Sequence, residues 1–464
     1  MNRPNRPKPT LMPSREQGIA LFTDLYELTM LQAYRELGLA EREAVFSLFV
    51  RRLPPERNFL IACGLDRLLG ELEALRFGPG DIEYLAAQGF KPDFLDWLAA
   101  FRFTGTVHAL PEGTPFFANE PVLEVIAPIG AAQLIETLAI NRVGFETIIA
   151  SKAARVVEAA AGRPVIDFGG RRAQGHDAAV EGARAAFVGG AAATSNVLAG
   201  RLYGIPVAGT MAHSFVQAFT DEMEAFRAFA RIYPDTTLLV DTYDTVEGVR
   251  KVIALAREMG AAFRVHAVRL DSGDLLALSK EARRLLDEAG LATVQIFASG
   301  GLDERKIAGL MVAGAPIDGF GVGTDMMVSA DAPAVDIVYK LTEFAGEGRM
   351  KLSAQKCTLP GRKQVFRTTI DGTVEGDMIA RYGEPLPGEP LLASVMRDGV
   401  RLEPSAPLPA IQARARAEIA RLPRALRALE PAAEPYLVAI SPALQEYAAE
   451  VREKIAAQSV QPKA

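Results

Sequence analysis

The sequence predicts an α/β fold: an irregular or incomplete (β/α) barrel, preceded by an α+β N-terminal domain and followed by a small C-terminal region. Two observations carry this. From Arg163 onward six strand-then-helix units follow one another at roughly 25 to 35 residues each, the size of a βα unit. Each of these apolar runs also ends in polar or glycine residues, whereas an open doubly wound sheet gathers such residues at one crevice. The repeat alone fits both architectures; the spread of polar tips favours the barrel. Only six units are clear, so the barrel is expected to be incomplete or to borrow strands from elsewhere.

The elements divide the chain into four parts. Residues 1–20 are polar and Pro-rich, a loose lead without the apolar centre of a signal peptide. Residues 21–160 mix helices and strands without a repeat and form the expected α+β domain. Within them, residues 21–37 read as a helix capped by Thr23 or Asp24. AVFSLFVRRLP reads as a buried strand stopped by prolines. GAAQLIETLAINRVGFETIIASKAARVVEAA is a long apolar helical stretch, one helix or two joined end to end.

Residues 161–330 hold the βα repeat. PVIDFGGRRAQG ends in Asp167 and Arg171, IPVAGTMAHS at His213, and TTLLVDTYD at Asp241 and Asp244. FRVHAVRLDSGD ends at Arg269 and Asp271, TVQIFASGG at Ser299, Gly300 and Gly301, and IDGFGVGTD at Gly321, Gly323 and Thr324. Residues 331–464 turn to strands (VDIVYKLTEFAG, RMKLSAQKCTLP, KQVFRTTIDG) and two helices near 411–429 and 442–456, packing on the first two domains.

Composition narrows the function. The chain has 464 residues, 49% hydrophobic and 23% charged, with a net charge of -6, so it lacks the basic footprint of a nucleic-acid or anionic-membrane binder. Its two cysteines, Cys63 and Cys357, form neither a metal spacing nor a disulfide framework, which suits a reducing compartment. The expectation is a cytoplasmic globular protein.

The strand tips carry the chemistry. His213 is one of four histidines and stands where a strand passes into a loop. Arg171 and Arg269 offer planar forks that grip carboxylate or phosphate. Asp271, two residues beyond Arg269, can accept from sugar hydroxyls, or the two can close the barrel rim as an ion pair. Asp241 neighbours the His213 tip and can hold an imidazole N–H. The glycine turns at Gly300-Gly301 and Gly321-x-Gly323 let backbone N–H groups approach an anion, and they serve equally as tight turns. His108 and His266 read as structural, and His176 lies close enough to the Arg171 tip to touch a ligand. Together the tips describe a pocket for a phosphorylated sugar and an anionic partner.

Six ordered segments, DFGGRRAQG, SNVLAG, VAGTMAHSF, VDTYDT, VRLDSGD and FGVGT, strongly resemble nicotinate phosphoribosyltransferases, and LFTDLYELTM and ASGGLDE fit as well. The resemblance covers about residues 21–436. It implies formation of nicotinate mononucleotide and pyrophosphate from nicotinate and 5-phosphoribosyl 1-pyrophosphate, coupled to ATP hydrolysis with Mg²⁺ in NAD salvage. It further implies a homodimer with shared sites. By the same resemblance His213 is the histidine that ATP phosphorylates and Asp241 its carboxylate partner. Phe168 and Tyr26 are plates around the pyridine, Tyr26 coming from a neighbouring subunit. Arg269 faces the pyridine carboxylate, Arg171 lies near the pyrophosphate, and Asp271 holds ribose hydroxyls. Ser299, Gly300, Gly301, Gly321, Gly323 and Thr324 match the 5′-phosphate cradle.

Ser195 stands where the related nicotinamide enzyme has an acidic residue, which favours the acid as substrate. The alternatives are a nicotinamide or quinolinate phosphoribosyltransferase and, from another class, an inactive nucleotide-binding regulator. VDTYDT is not the acidic motif of the other phosphoribosyltransferase class, because Asp241 and Asp244 are separated and no Thr-Gly loop follows.

Overall fold

The protein is described here from a computed structural model covering residues 19–352 and 358–460. The lead at residues 1–18, Cys357 within the expected RMKLSAQKCTLP strand, and residues 461–464 of the tail lie outside the described residues.

The N-terminal helix runs Leu25–Glu36 from Asp24 as its N-cap and buries Leu28 and Leu31. The apolar AVFSLFV run becomes the strand Glu43–Val50, buried from Ala44 onward on both faces. It sits inside a seven-stranded sheet between Ile337–Phe344 and Pro121–Pro128, antiparallel to both. Strands from both sides of the barrel segment therefore share one sheet. Ala393–Arg397 also joins it, pairing with Thr106–Ala109.

The long apolar stretch is two helices, Ile129–Leu134 and Glu136–Ala159, meeting at Ile135. The second is buried almost all round. It packs on helices His176–Val188 and Glu304–Val312 and on strands Leu60–Ile61 and Ile337–Phe344, so it stands between the N-terminal sheet and the barrel. The C-terminal basic helix is split at Pro423 into Leu408–Arg421 and Arg424–Arg427, as expected of a residue that cannot continue a helix. Among the described residues no helix is long and apolar enough to cross a membrane.

The barrel segment forms a six-stranded parallel sheet. Its spatial order is Ala193–Thr194, Val165–Asp167, Gly319–Val322, Gln295–Ala298, Ala267–Leu270, Thr237–Leu239. Apart from Ala193–Thr194 and Thr237–Leu239, which form the two edges, chain neighbours are sheet neighbours, and the last strand pairs with the first: Phe320, Gly321 and Val322 lie opposite Val165, Ile166 and Asp167. That wrap-around is barrel order rather than doubly wound order.

Two details correct the sequence reading. Ala193–Thr194 is a strand that was not expected. The IPVAGTMAHS run, expected as a full strand, contributes a single bridge from Val207 to Thr194. No ladder joins that run to Thr237–Leu239, and the barrel stays open along this seam, beside which His213 emerges.

His108 and His266 have structural partners. His266 Nε2 lies 3.1 Å from the Thr237 hydroxyl. His108 Nε2 lies 2.6 Å from Arg362 Nη2; guanidinium only donates, so the imidazole accepts and is neutral. Burial, with Arg362 and Arg397 nearby, pushes His108 down to about 4 from 6.5. In that window the unfolded chain takes up a proton that the folded chain refuses, so stability falls as pH drops from about 6.5 towards 4. Discounted for solvent screening of a ring near the surface, the loss is expected to be on the order of 2 kcal/mol. Urea unfolding across the window should show a shallower pH slope for His108→Gln than for the parent protein.

Candidate active site

Arg269, on the strand Ala267–Leu270, is the hub of the strand tips. Its Nε donates to the Ser299 hydroxyl at 2.7 Å, Nη1 to the Thr210 hydroxyl at 2.7 Å, and Nη2 to Asp271 Oδ1 at 2.6 Å. Its guanidinium carbon stands 5.3 Å from the centre of the Phe168 ring. These contacts use three of the five guanidinium N–H donors and leave one on each terminal nitrogen, the pair that meets a carboxylate end-on.

Asp271 collects charge from several sides. Ser299 Oγ donates to its Oδ1 at 2.5 Å, and His213 Nε2 stands 3.7 Å from its Oδ2. Burial alone would raise this carboxyl, but the Ser299 and Arg269 hydrogen bonds and the charges of Arg269 and His213 hold it below the usual aspartate range. It is therefore ionised throughout the neutral range.

His213 begins the short helix His213–Gln217 and is 41% exposed, open to a ligand from the mouth. Its Nδ1 lies 3.2 Å from the Thr242 hydroxyl. The expected contact with Asp241 is not made. Asp241 Oδ2 instead accepts from the Asp271 backbone N–H at 3.0 Å and from Ser272 Oγ at 2.5 Å. Asp241 Oδ1 is buried without a hydrogen-bond partner among the described residues. The imidazole thus meets its neighbouring hydroxyl, Thr242, and a different carboxylate, because Asp241 is turned towards the Asp271-Ser272 backbone.

The glycines differ in their reasons. Gly300 has φ +88°, and a Cβ there would lie 1.7 Å from the Asp271 carbonyl oxygen. Gly301 follows at φ +61° with open space around it. The consecutive left-handed pair turns the chain from Ser299 into the helix Glu304–Val312, whose N-cap is Asp303. We expect Gly300→Ala to cost about 2–4 kcal/mol and to displace Asp271, seen as a lower melting temperature in calorimetry together with loss of activity. Gly321 faces elsewhere: a Cβ would meet the Phe168 ring at 2.4 Å, so its bareness seats that aromatic plate. Gly323 passes the Phe168 carbonyl, and Thr324 is exposed at the start of the four-residue helix Thr324–Met327.

His213, Asp241, Phe168, Arg269, Asp271, Ser299, Gly300 and Gly321 thus form one contiguous group. The structure leaves other expected residues outside it. Arg171 is exposed on the turn Gly170–Arg172, with no hydrogen bond or ion pair among the described residues. Ser195 is exposed, and its backbone N–H donates to the Asp167 carbonyl at 2.8 Å. His176 is exposed and faces Asp177 at 3.4 Å. Tyr26 is half-exposed on the N-terminal helix, where burial and the nearby Glu136 and Glu27 carboxylates keep its hydroxyl protonated.

Three positioning residues had no role in the sequence reading, although Asp167 stood there at a strand tip. Thr210 and Thr242 hold Arg269 and His213, and their only sequence signal was membership of VAGTMAHSF and VDTYDT. Asp167, fully buried, accepts from the Gly169 N–H and the Thr194 hydroxyl, each at 2.7 Å, and so fixes the turn that presents Phe168. Burial raises its carboxyl against those two bonds.

Comparison with known proteins follows the same lines. Residues 21–144 match the nicotinate phosphoribosyltransferase (NAPRTase) N-terminal domain, and residues 164–368 match the nicotinate phosphoribosyltransferase (NAPRTase) family. The chain is 55% identical over 435 residues to the nicotinate phosphoribosyltransferase pncB2 of Mycobacterium tuberculosis, spanning 93% of each chain. It is 43% identical over 380 residues to the nicotinate phosphoribosyltransferase of Bacillus subtilis, spanning 80% of this chain and 78% of that one. The crystal structure of human nicotinic acid phosphoribosyltransferase matches with a TM-score of 0.84 at 31% identity, over 93% of this chain and all of that one.

Proposed function

Since the chain belongs to the nicotinate phosphoribosyltransferase family, we propose that it forms nicotinate mononucleotide and pyrophosphate from nicotinate and 5-phosphoribosyl 1-pyrophosphate, with ATP hydrolysis coupled through His213. The observation that carries this reading is the Arg269 hub. The Arg269 guanidinium stands 5.3 Å from the centre of the Phe168 ring and keeps two N–H donors free, so a flat ring stacked on that plate can turn an edge carboxylate to the fork.

In the transfer step the pyridine nitrogen attacks the anomeric carbon as the carbon–oxygen bond to pyrophosphate breaks. The nitrogen is already nucleophilic, so no base is needed; the site positions the partners and offsets developing charge. Ionised Asp271 faces the positive ribosyl carbon or its hydroxyls. Asp241 Oδ1 and Asp271 Oδ2, hard anionic oxygens of which the first is buried and unpartnered, would hold Mg²⁺. That ion supplies charge stabilisation to the leaving pyrophosphate.

For the ATP step, the Nδ1–H of His213 donates to the Thr242 hydroxyl, which leaves the Nε2 lone pair to take the γ-phosphoryl group, with ADP departing. Water later cleaves the N–P bond to release phosphate. A second copy of the chain completes the site in this reading. Exposed Leu21, Phe22, Leu25 and Tyr26 form one apolar face, and Val197, Leu198, Leu202 and Val207, beside the open seam, form another. Sedimentation at monomer mass would contradict the dimer.

By the resemblance Ser195 stands where the nicotinamide enzyme has an acidic residue, and a neutral side chain there supports nicotinate over nicotinamide. Product analysis with phosphoribosyl pyrophosphate and each pyridine in turn decides the function. Nicotinate mononucleotide from nicotinate is expected; consumption of nicotinamide or quinolinate alone would replace the reading.

A further inference from the structure

Behind the two glycine turns lies a buried charge cluster that the reaction does not use directly. Lys152, on the helix Glu136–Ala159, is 1% exposed. Its Nζ stands 2.5 Å from Glu304 Oε2, 2.5 Å from Asp325 Oδ1 and 2.9 Å from Asp331 Oδ1. Arg155 Nε also reaches Glu304, at 3.1 Å, and Arg57 Nη2 reaches Asp331 at 2.9 Å. Three cations thus meet three carboxylates, of which Glu304 is buried and Asp325 and Asp331 are partly exposed. Burial pulls the Lys152 ammonium down, but its three carboxylate partners more than offset this, so it stays charged.

The position of the carboxylates gives the cluster its meaning. Glu304 opens the helix that follows Gly300 and Gly301, and Asp325 sits beside Thr324, just past Gly323. Lys152 therefore ties together the segments leaving both turns, and it reaches them from a helix rooted between the N-terminal sheet and the barrel. Neither turn is held to the other by a strand ladder at this level, because Gln295–Ala298 and Gly319–Val322 pair only through Phe297–Gly319 and Ala298–Phe320.

We propose that Lys152 is the positioning residue that fixes the two glycine turns relative to each other and so sets affinity for the phosphate end of the sugar substrate. This rests on the reading that those turns seat the 5′-phosphate. A buried ammonium suits this role because its three short contacts from one point define a distance between two loops, and no ladder extends to that point. Loss of the charge leaves Glu304 with Arg155 and Asp331 with Arg57 but unties Asp325 from both, and so lets the turns part.

The test is steady-state kinetics of the full-length protein with nicotinate and phosphoribosyl pyrophosphate. Lys152→Met is expected to raise KM for phosphoribosyl pyrophosphate about tenfold or more, with KM for nicotinate changed less than about twofold. Asp325→Asn, which removes one tie of a partly exposed residue, should raise the same KM by about threefold. It decides the matter if Lys152→Met does not fold. Folded variants whose two KM values are unchanged, or rise together, overturn the proposal. Should the parent protein transfer no ribosyl group, the functional reading fails separately. Calorimetry with ribose 5-phosphate then tests the turns alone. Weaker binding by Asp325→Asn supports the tie; equal binding, or none by the parent protein, overturns it.

Discussion

His213→Ala protein incubated with γ-³²P-labelled ATP is expected to acquire no label, whereas the parent protein acquires label that is lost in acid. The acid lability identifies an N–P bond rather than a serine or threonine ester. His213 is the histidine with one ring nitrogen on a hydroxyl, Thr242, and the other turned to the open mouth beside Asp271. The other three differ: His108 faces Arg362, His266 faces Thr237 through Nε2, and His176 lies outside the cluster. Mononucleotide formation should persist slowly in the variant and become indifferent to ATP, because Arg269, Asp271 and the glycine turns are untouched. Unchanged labelling would remove His213 from the ATP step.

Arg269→Ala should have the second large effect. The change removes the fork that faces a pyridine carboxylate. It also leaves Asp271 without its closest cation and takes a hydrogen-bond partner each from Ser299 and Thr210. Breaking one partner of a mostly buried ion pair, together with the substrate contact, is worth about 4 kcal/mol, or about 10³-fold in kcat/KM for nicotinate. Nicotinamide has no carboxylate to lose, so its kcat/KM should fall by about tenfold and the preference for the acid should narrow. Arg269→Lys keeps the charge but not the fork, and should recover only part of the loss. An equal fall for both pyridines would mean that Arg269 supports the site without contacting the carboxylate.

Much of this was legible in the chain because a parallel strand with a covering helix leaves a local signature. Val165–Asp167, Ala267–Leu270 and Gln295–Ala298 are apolar runs that stop at a polar or glycine tip, and those tips could be read without coordinates. The pairing partner is where local reading failed. Ile337–Phe344 belongs beside Glu43–Val50, nearly 300 residues away by the register Val45–Glu343, and no periodicity in either strand encodes that choice. The seam failed for a related reason. IPVAGTMAHS looks like a strand, but Gly209 and Thr210 turn the chain towards Arg269 after a single bridge at Val207. Ala193–Thr194, at two residues, is too short to show a period.

Side-chain pairings were the least legible part. Asp241 and His213 stand on adjacent tips, yet Asp241 bonds to the Asp271 N–H and Ser272, and His213 to Thr242. Rotamers at a loop decide that, and spacing along the chain does not constrain them. Gly321 is instructive in the same way: a G-x-G that reads as an anion loop proves to have one glycine packed under Phe168.

In the proposed function, successive strand ends meet at one mouth and hold a single nucleotide there. A crystal structure of the protein with nicotinate mononucleotide tests it most directly. The pyridine ring is expected on Phe168, its carboxylate on the Arg269 fork, ribose beside Asp271 and the 5′-phosphate between the Gly300-Gly301 and Gly323-Thr324 turns. Nucleotide bound on another face of the protein, or with its carboxylate turned away from Arg269, would contradict it.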